Sequence, residues 1–410
     1  MNVAVLTSRT ERIDDPGDLL PLLPNSKGCV WLRQGEGAVA WGEAARFEVG
    51  AGEDRFERAA AWLDGLFAVA DVDDSLAAPG SGPVAFGAFS FDPHSFSSVL
   101  VVPEVAVWKR DGHAWITRSG MGAVPTRELE AVPVSPTEKI RYAGSSIDEV
   151  AWLEAVDAAI GAIRADRIDK VVLARDLKVW SKAPLDQRAL TGRLNERFPE
   201  CYTFAVDGFL GATPELLLGR RGARVTSLVL AGTAPRSDDA GEDRLIGERL
   251  LASSKDADEH RLSVESVRSL LGPFCETLDH DPEPWLLKLA NVQHLATSVE
   301  GTLAGDVGTL EMIARLHPTA AVCGTPRDEA LELIRKLEGL DRGRYAGPVG
   351  WIDSRGDGEF GIGLRCAEVS GSRARLFAGA GLVEGSIPEA ELDETRLKLG
   401  AMRAALGDVS

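Results

Sequence analysis

Residues 201–231 read as consecutive β-strands joined by hairpin-length turns, with Arg220-Arg221-Gly222-Ala223 the plainest turn among them. Strand-like pieces at 347–353, 359–368 and 374–383 extend the pattern, as do short β-like runs through residues 1–130. Among those runs, Val30-Trp31-Leu32 and Val39-Ala40-Trp41-Gly42 flank a turn, and Ala85–Phe91 alternates with period two. Strands joined so tightly leave no room for the crossover helices that a parallel sheet needs. The expected class is α+β, with large antiparallel sheets packed together and helices on the outside.

Helical periodicity fills the intervals. A helix is expected around Arg55–Val69. Another is expected after Ser146, read as its cap, with Asp148 and Glu149 in the first turn and Leu153, Val156, Ile160 and Ile163 on one face. Helices near 241–272 follow. Thr325-Pro326 opens one that ends near Gly339, and a last one starts at Ser386 with a capping box to Glu389. The Pro-containing stretch Val132–Pro136 is the best candidate boundary, dividing 1–135, which completes the sheets, from 136–410 within one intimate unit.

Bulk properties narrow the partners. A chain of 410 residues, 44% apolar, can bury a large core. A net charge of −18 repels nucleic-acid backbones and anionic membrane surfaces. Five scattered cysteines, with no CxxC or Cys/His ligand spacing, indicate reduced thiols and a cytoplasmic protein. The first residues lack the apolar core of a signal peptide, and no window reaches the length of a membrane span.

Chemistry concentrates in a few charged residues set among apolar ones. Lys170 heads the β-branched run Lys170-Val-Val-Leu-Ala-Arg175 and shares a face with Val172 and Ala174. It is either an edge-strand lysine or a base whose buried amine loses its proton readily. Glu215, after Pro214 and before three leucines, is either a turn residue or an acid. At about 100° per residue, Glu391, Glu394 and Lys398 border the apolar stripe Leu392, Leu399, Met402 and Leu406. Asp256 and Glu259 fall on the side of Leu262, Val267 and Leu270. Carboxylates at a core edge need counter-charge: a hard cation, or a salt-bridge network with Lys255, Lys398 or Arg396. Gly356-Asp-Gly-Glu-Phe-Gly361 satisfies G-x-G-x-x-G, but a strand follows it, so it reads as a hairpin turn. His294 and His317 are either pocket or core histidines.

Taken in order, the motifs resemble the chorismate-utilising enzymes, the family of isochorismate, anthranilate, aminodeoxychorismate and salicylate synthases, and within it the isochorismate synthases. The resemblance covers roughly 140–406. It rests on Lys170–Arg175, Gly211-Ala-Thr-Pro-Glu-Leu-Leu217, Leu230-Ala-Gly-Thr233, Lys255-Asp-Ala-Asp-Glu-His260, His294-Leu-Ala-Thr297, His317–Pro326, Tyr345–Trp351, Leu364-Arg-Cys-Ala367, Ala378-Gly-Ala-Gly381 and Glu391–Lys398. Thr213 stands where the family usually has serine.

The resemblance implies the fold of anthranilate and aminodeoxychorismate synthases, with a cleft between two sheets, and Mg²⁺-dependent conversion of chorismate to isochorismate. Lys170 matches the base that activates water and Glu215 the acid for the departing hydroxyl. Glu259 and Glu394 match the metal ligands, with Asp256 and Glu391 behind them. Tyr345, Arg365, Gly379 and Gly381 match contacts to a carboxylate, and Lys398 a positive residue near the metal-bound carboxylate. Gly232, Thr233, His294 and Ala321 match pocket positions.

Three positions bear on subclass. Lysine at 170 favours water over ammonia, alanine at 231 forbids the covalent lysine of aminodeoxychorismate synthases, and alanine at 321 differs from the threonine of salicylate synthases. The alternatives are a salicylate synthase and, in another class, a catalytically silent subunit that binds an anion or a partner. The family often works as a monomer, and its product feeds menaquinone or siderophore synthesis.

Overall fold

The computed structural model describes residues 5–126 and 133–407. The strands around the site are β1 (Cys29–Arg33), β2 (Val84–Ala88), β3 (Lys170–Ser181), β4 (Tyr202–Val206), β5 (Phe209–Thr213), β6 (Leu216–Arg221), β7 (Arg224–Pro235), β8 (Val292–Leu303), β9 (Pro348–Asp353), β10 (Gly358–Ile362), β11 (Cys366–Ser370) and β12 (Arg373–Leu382). The helices are α1 (Arg55–Phe67), α2 (Glu149–Arg164), α3 (Gln187–Arg197), α4 (Ala240–Leu251), α5 (Ser254–Leu271), α6 (Thr309–Leu316), α7 (Arg327–Leu337) and α8 (Pro388–Ala405).

One sheet has 13 strands and contains the path β3-β12-β11-β5-β4-β1, continued by strands from the first 121 residues. The other has 10 and contains β8-β7-β6-β10-β9-β2. Pairing is antiparallel apart from Leu6–Ile13 beside Asp71–Asp73. This is the α+β architecture expected from the turn lengths. Strands from either side of residue 135 interleave: β4 pairs β1, and β9 pairs β2. Of the stretch read as a boundary, Val132 lies outside the described residues.

Two apolar layers hold the sheets. Trp31, Phe86, Phe204, Phe209 and Phe360 belong to the larger core. A second layer joins Val30, Leu32, Leu210 and Leu376 of the first sheet to Leu190 and Leu194 of α3 and Leu399 and Met402 of α8. Each such side chain removed from water contributes roughly 1.5–3 kcal/mol.

Three local readings are corrected. The piece 359–368 is two strands in different sheets, β10 and β11, broken at Arg365, whose φ of +47° turns the chain. Asp148, not Ser146, caps α2 by accepting from the Ala151 N–H, because Ser146 donates its N–H and hydroxyl to Asp176. No side chain caps α8; the Ser386 hydroxyl accepts from the Val383 N–H instead of closing a box with Glu389. The hairpin at 220–223 forms as read, with Arg221 opposite Arg224. The G-x-G-x-x-G segment is the β9–β10 turn and the start of β10.

Candidate active site

Two places where the chain passes between the sheets lie side by side. Thr213-Pro214-Glu215 leads from β5 in the first sheet to β6 in the second, and Gly363-Leu364-Arg365 leads from β10 back to β11. Proline has no N–H for a ladder, which suits it to the exit from a strand. The two crossings are stitched together: Ile362 N donates to Glu215 O at 3.2 Å, and Ala212 N donates to Arg365 O at 3.2 Å. Glu215 and Arg365 are thereby delivered to one pocket.

That pocket is also lined by Gly232, Thr233, Glu259, His294, Ala321 and Tyr345, together with Gly379, Gly381, Glu394 and Lys398. Every position matched to substrate thus converges here, although the pocket's named residues come from β7, β8, β12, α5, α8 and four loops. The cavity is narrow, about 60 Å³. Gly381 lets Glu259 lie against β12: a Cβ there would strike Glu259 Oε1 and push the carboxylate aside. Gly232 sits at a register shift in β7 with φ of +76°, and its carbonyl faces the His294 ring.

Lys170 begins β3 and is fully buried. Its Nζ lies 3.0 Å from Ser263 Oγ and 3.2 Å from Glu259 Oε1, both on α5. Lys170 is not among the residues that line the pocket, whereas its ion-pair partner Glu259 is. Glu215 is 4% exposed, and burial pushes its carboxyl up to about 8, against the opposing pull of Lys170 and Arg365. Near neutral pH it carries a proton.

The α5–α8 wall is crowded with charge. Lys398 pairs with Glu394 and donates to Gly379 O at 3.0 Å; Lys255 pairs with Glu391 at 2.7 Å. Burial raises Asp256 and Glu391 above the ordinary carboxylate range, and neighbouring carboxylates add to it: Glu259 and Glu394 beside Asp256, Glu394 beside Glu391. Burial acts on Glu259 in the same direction, but Lys170, Lys398 and Lys255 outweigh it and hold Glu259 below that range. The salt-bridge network weighed from sequence therefore exists, using Lys170, Lys255 and Lys398. Arg396 turns outward to Glu149 and Asp393. Asp256 and Glu391 do not line the pocket; each stands one helical turn before Glu259 or Glu394.

The opposite side carries Arg365. Its Nη2 donates to His294 Nε2 at 2.9 Å, and its buried Nε has no acceptor. Burial, then Arg365 and Lys398, pull the His294 pKa well below its usual value, so the ring is neutral. Nε2 accepts, which leaves the proton on Nδ1, within 3.2 Å of Gly232 O and Thr233 Oγ1. No carboxylate ion-pairs with Arg365 among the described residues. Tyr345 stacks on Phe377 at 5.1 Å, and burial raises its phenol pKa. His317 is elsewhere: its Nε2 meets Phe91 O at 3.0 Å, packed against Phe56 and Phe91, which makes it a core histidine.

Sequence reasoning missed Ser263 and the apolar lining from Val172, Pro214, Leu230, Val322 and Leu364. Ser263 was findable, since it lies four residues after Glu259 and so on the same helix face.

The fold and the pocket define an enzyme-like site for a small anion. The family model for the chorismate binding enzymes matches residues 24–407, and the chain belongs to that family. It is 38% identical over 339 residues to the isochorismate synthase DhbC of Bacillus subtilis, covering 80% of this chain and 81% of the relative. It is 36% identical over 419 residues to the salicylate biosynthesis isochorismate synthase of Pseudomonas aeruginosa, covering 93% and 85%. Among solved structures it resembles MenF, the menaquinone-specific isochorismate synthase of Escherichia coli, with a TM-score of 0.82, 27% identity, and coverage of 99% and 96%. No helix among the described residues is long and apolar enough to cross a membrane.

Proposed function

We propose that this protein is an isochorismate synthase: it adds water at C2 of chorismate and expels the C4 hydroxyl. The observation that carries the reading is the pairing, around one pocket, of a carboxyl protonated near neutral pH, Glu215, with a fully buried lysine, Lys170. Hydroxide is a poor leaving group and water a poor nucleophile, so the exchange needs a proton donor and a proton acceptor together. Lys170 removes a proton from the attacking water as its oxygen bonds to C2. Glu215 gives its proton to the C4 oxygen, which departs as water, and the ring double bonds shift between the two carbons.

Arg365 supplies the N–H groups for a substrate carboxylate, because its guanidinium is buried without an anionic partner. Tyr345 and the backbone at Gly379 and Gly381 line the same pocket, and neutral His294 holds Arg365 without competing for the anion.

Glu259 and Glu394 would hold a Mg²⁺ ion, with Asp256 and Glu391 behind them. The crowding of four carboxylates on two helix faces, two of them raised by burial and then by their neighbours, fits a hard cation. Among the described residues no group of three or more ligating side chains is assembled, so water and substrate oxygens would complete the shell. The bound ion supplies charge neutralisation for a substrate carboxylate. A cavity of about 60 Å³ is small beside the ~300–1,000 Å³ of ordinary ligand pockets.

Ala321 lines the pocket with no hydroxyl, which favours stopping at isochorismate over the salicylate synthase alternative. The intact acid–base pair argues against a silent subunit. A cytoplasmic monomer accords with this reading. The test is chromatographic analysis of products from purified protein, chorismate and Mg²⁺. Isochorismate as the main product, lost on chelation with EDTA, supports the reading. Salicylate as the main product, or chorismate binding without turnover, would replace it.

A further inference from the structure

A groove of about 970 Å³ opens at the other end of β3 and β12 from the active site. One wall is a sheet face. Lys178 and Trp180, two residues apart on β3, share that face and lie directly opposite Arg375 and Arg373 of β12. Lys27, just before β1, lines the groove as well, and so does Arg46, on the strand Ala45–Glu48 of the second sheet.

The groove gathers positive charge on an acidic protein. Counting Arg344, six cations line it, against the three carboxylates Glu43, Asp207 and Glu368. Those three are already taken: Arg46 pairs with Glu43 and Asp207, and Arg344 with Asp207 and Glu368. Arg375 is drawn to Asp176 at 2.6 Å. Lys27, Lys178 and Arg373 pair with no carboxylate among the described residues. The chain has 63 acidic residues to 45 basic ones, so three bare cations in one concavity do not reflect a shortage of partners. Beside them Trp180 is 56% exposed, with the Arg373 guanidinium 5.8 Å from its ring centre. An indole left in water next to unpaired cations offers a planar group a surface and an anion its counter-charge.

We propose that this groove is a second binding site, for a nucleoside polyphosphate: the phosphates meet Lys178, Arg373 and Lys27, and the base lies against Trp180. Lys178 and Arg373 are diagonal neighbours across the β3–β12 ladder, about 7–8 Å apart where they leave the backbone. Two side chains of that length can converge on one phosphate chain, arginine through paired N–H groups and lysine as a point charge. A small anion suits the groove better than an acidic macromolecule. Charges more than about 10 Å away are screened at ordinary salt, so a small anion meets only the groove. A macromolecule would also meet the surrounding surface of a protein with a net charge of −18. The volume lies within the ~300–1,000 Å³ of small-ligand pockets.

Calorimetric titration with ATP, without Mg²⁺, tests the site. ATP should bind one-to-one with a Kd below about 1 mM at ~50 mM salt. It should bind at least about 5-fold more tightly than tripolyphosphate, because stacking on Trp180 adds to the phosphate contacts. Lys178→Ala and Arg373→Ala should each weaken ATP about 10-fold or more. Trp180→Ala should bring ATP to the affinity of tripolyphosphate. All three side chains are at least partly exposed, so the variants should keep the parent Tm. Chorismate should not displace ATP. A Kd for ATP weaker than about 1 mM overturns the proposal. So does binding that survives both charge removals or that chorismate displaces, since ATP would then sit elsewhere. Equal affinity for ATP and tripolyphosphate in the parent protein overturns the nucleoside assignment.

Discussion

Arg342 and Arg365 are both buried, yet they are opposites. Arg342 directs its Nε and Nη2 to Glu338, its Nη1 to Val322 O at 2.8 Å, and Nη2 also to Val172 O at 2.8 Å. Glu338 in turn accepts from the Ala174 N–H at 2.7 Å. Arg365 holds a neutral imidazole and leaves Nε unmet. A buried charge whose every donor is met by protein fixes the fold; β3 is held from behind in that way. A buried charge left without an anion is a vacancy for one. The contrast separates scaffold from site without reference to any relative.

The comparison can be broken or sharpened by substitution. The largest effects are expected at the acid and base: Lys170→Ala and Glu215→Gln should each lower turnover by about 10²–10⁴-fold in a product assay, with Tm unchanged for Glu215→Gln and lowered for Lys170→Ala, which removes the buried partner of Glu259. Glu338→Ala should act on the other axis. It strands the Arg342 charge and should cost about 3–5 kcal/mol of stability in urea unfolding. Arg365→Met should reverse that pattern, with stability equal or higher and kcat/KM for chorismate about 10- to 100-fold lower, since a charge-assisted contact of about 1.5–3 kcal/mol is lost. Were Arg365→Met to unfold the protein while Glu338→Ala did not, the distinction between the two arginines would be wrong.

A smaller, graded effect is expected from pH. Glu215 must keep its proton to act as an acid, and its pKa is raised to about 8. Activity should therefore fall as pH rises through about 8, and Glu215→Gln should lose that limb along with the rate. The smallest effect is expected from Ala321→Thr, which places a hydroxyl in the pocket: a trace of salicylate by chromatography, with isochorismate still the main product.

Much of this was legible in the sequence because periodicity reports burial. The 100° spacing placed Glu391, Glu394 and Lys398 beside the apolar stripe of α8, and they lie there. The β-branched run placed Lys170 in a strand, and it is buried. Period two could not report that residues 359–368 change sheets, because a turn at Arg365 with φ of +47° leaves the alternation on either side intact. Nor could it show that Ser146 is claimed by Asp176, or Ser386 by the Val383 N–H, since those partners are set by tertiary packing. Ser263 lies on the helix face of Glu259 by its spacing, but that Lys170 stands opposite it is set by tertiary packing.

The paired crossings give the site a mechanical property. Glu215 and Arg365 ride on neighbouring strand segments whose ladders continue into both sheets, at Gly211 opposite Cys366 and Leu216 opposite Gly361. Should one sheet slide over the other, proton donor and carboxylate anchor would be carried along as a single piece. Their separation is insulated from breathing of the sandwich.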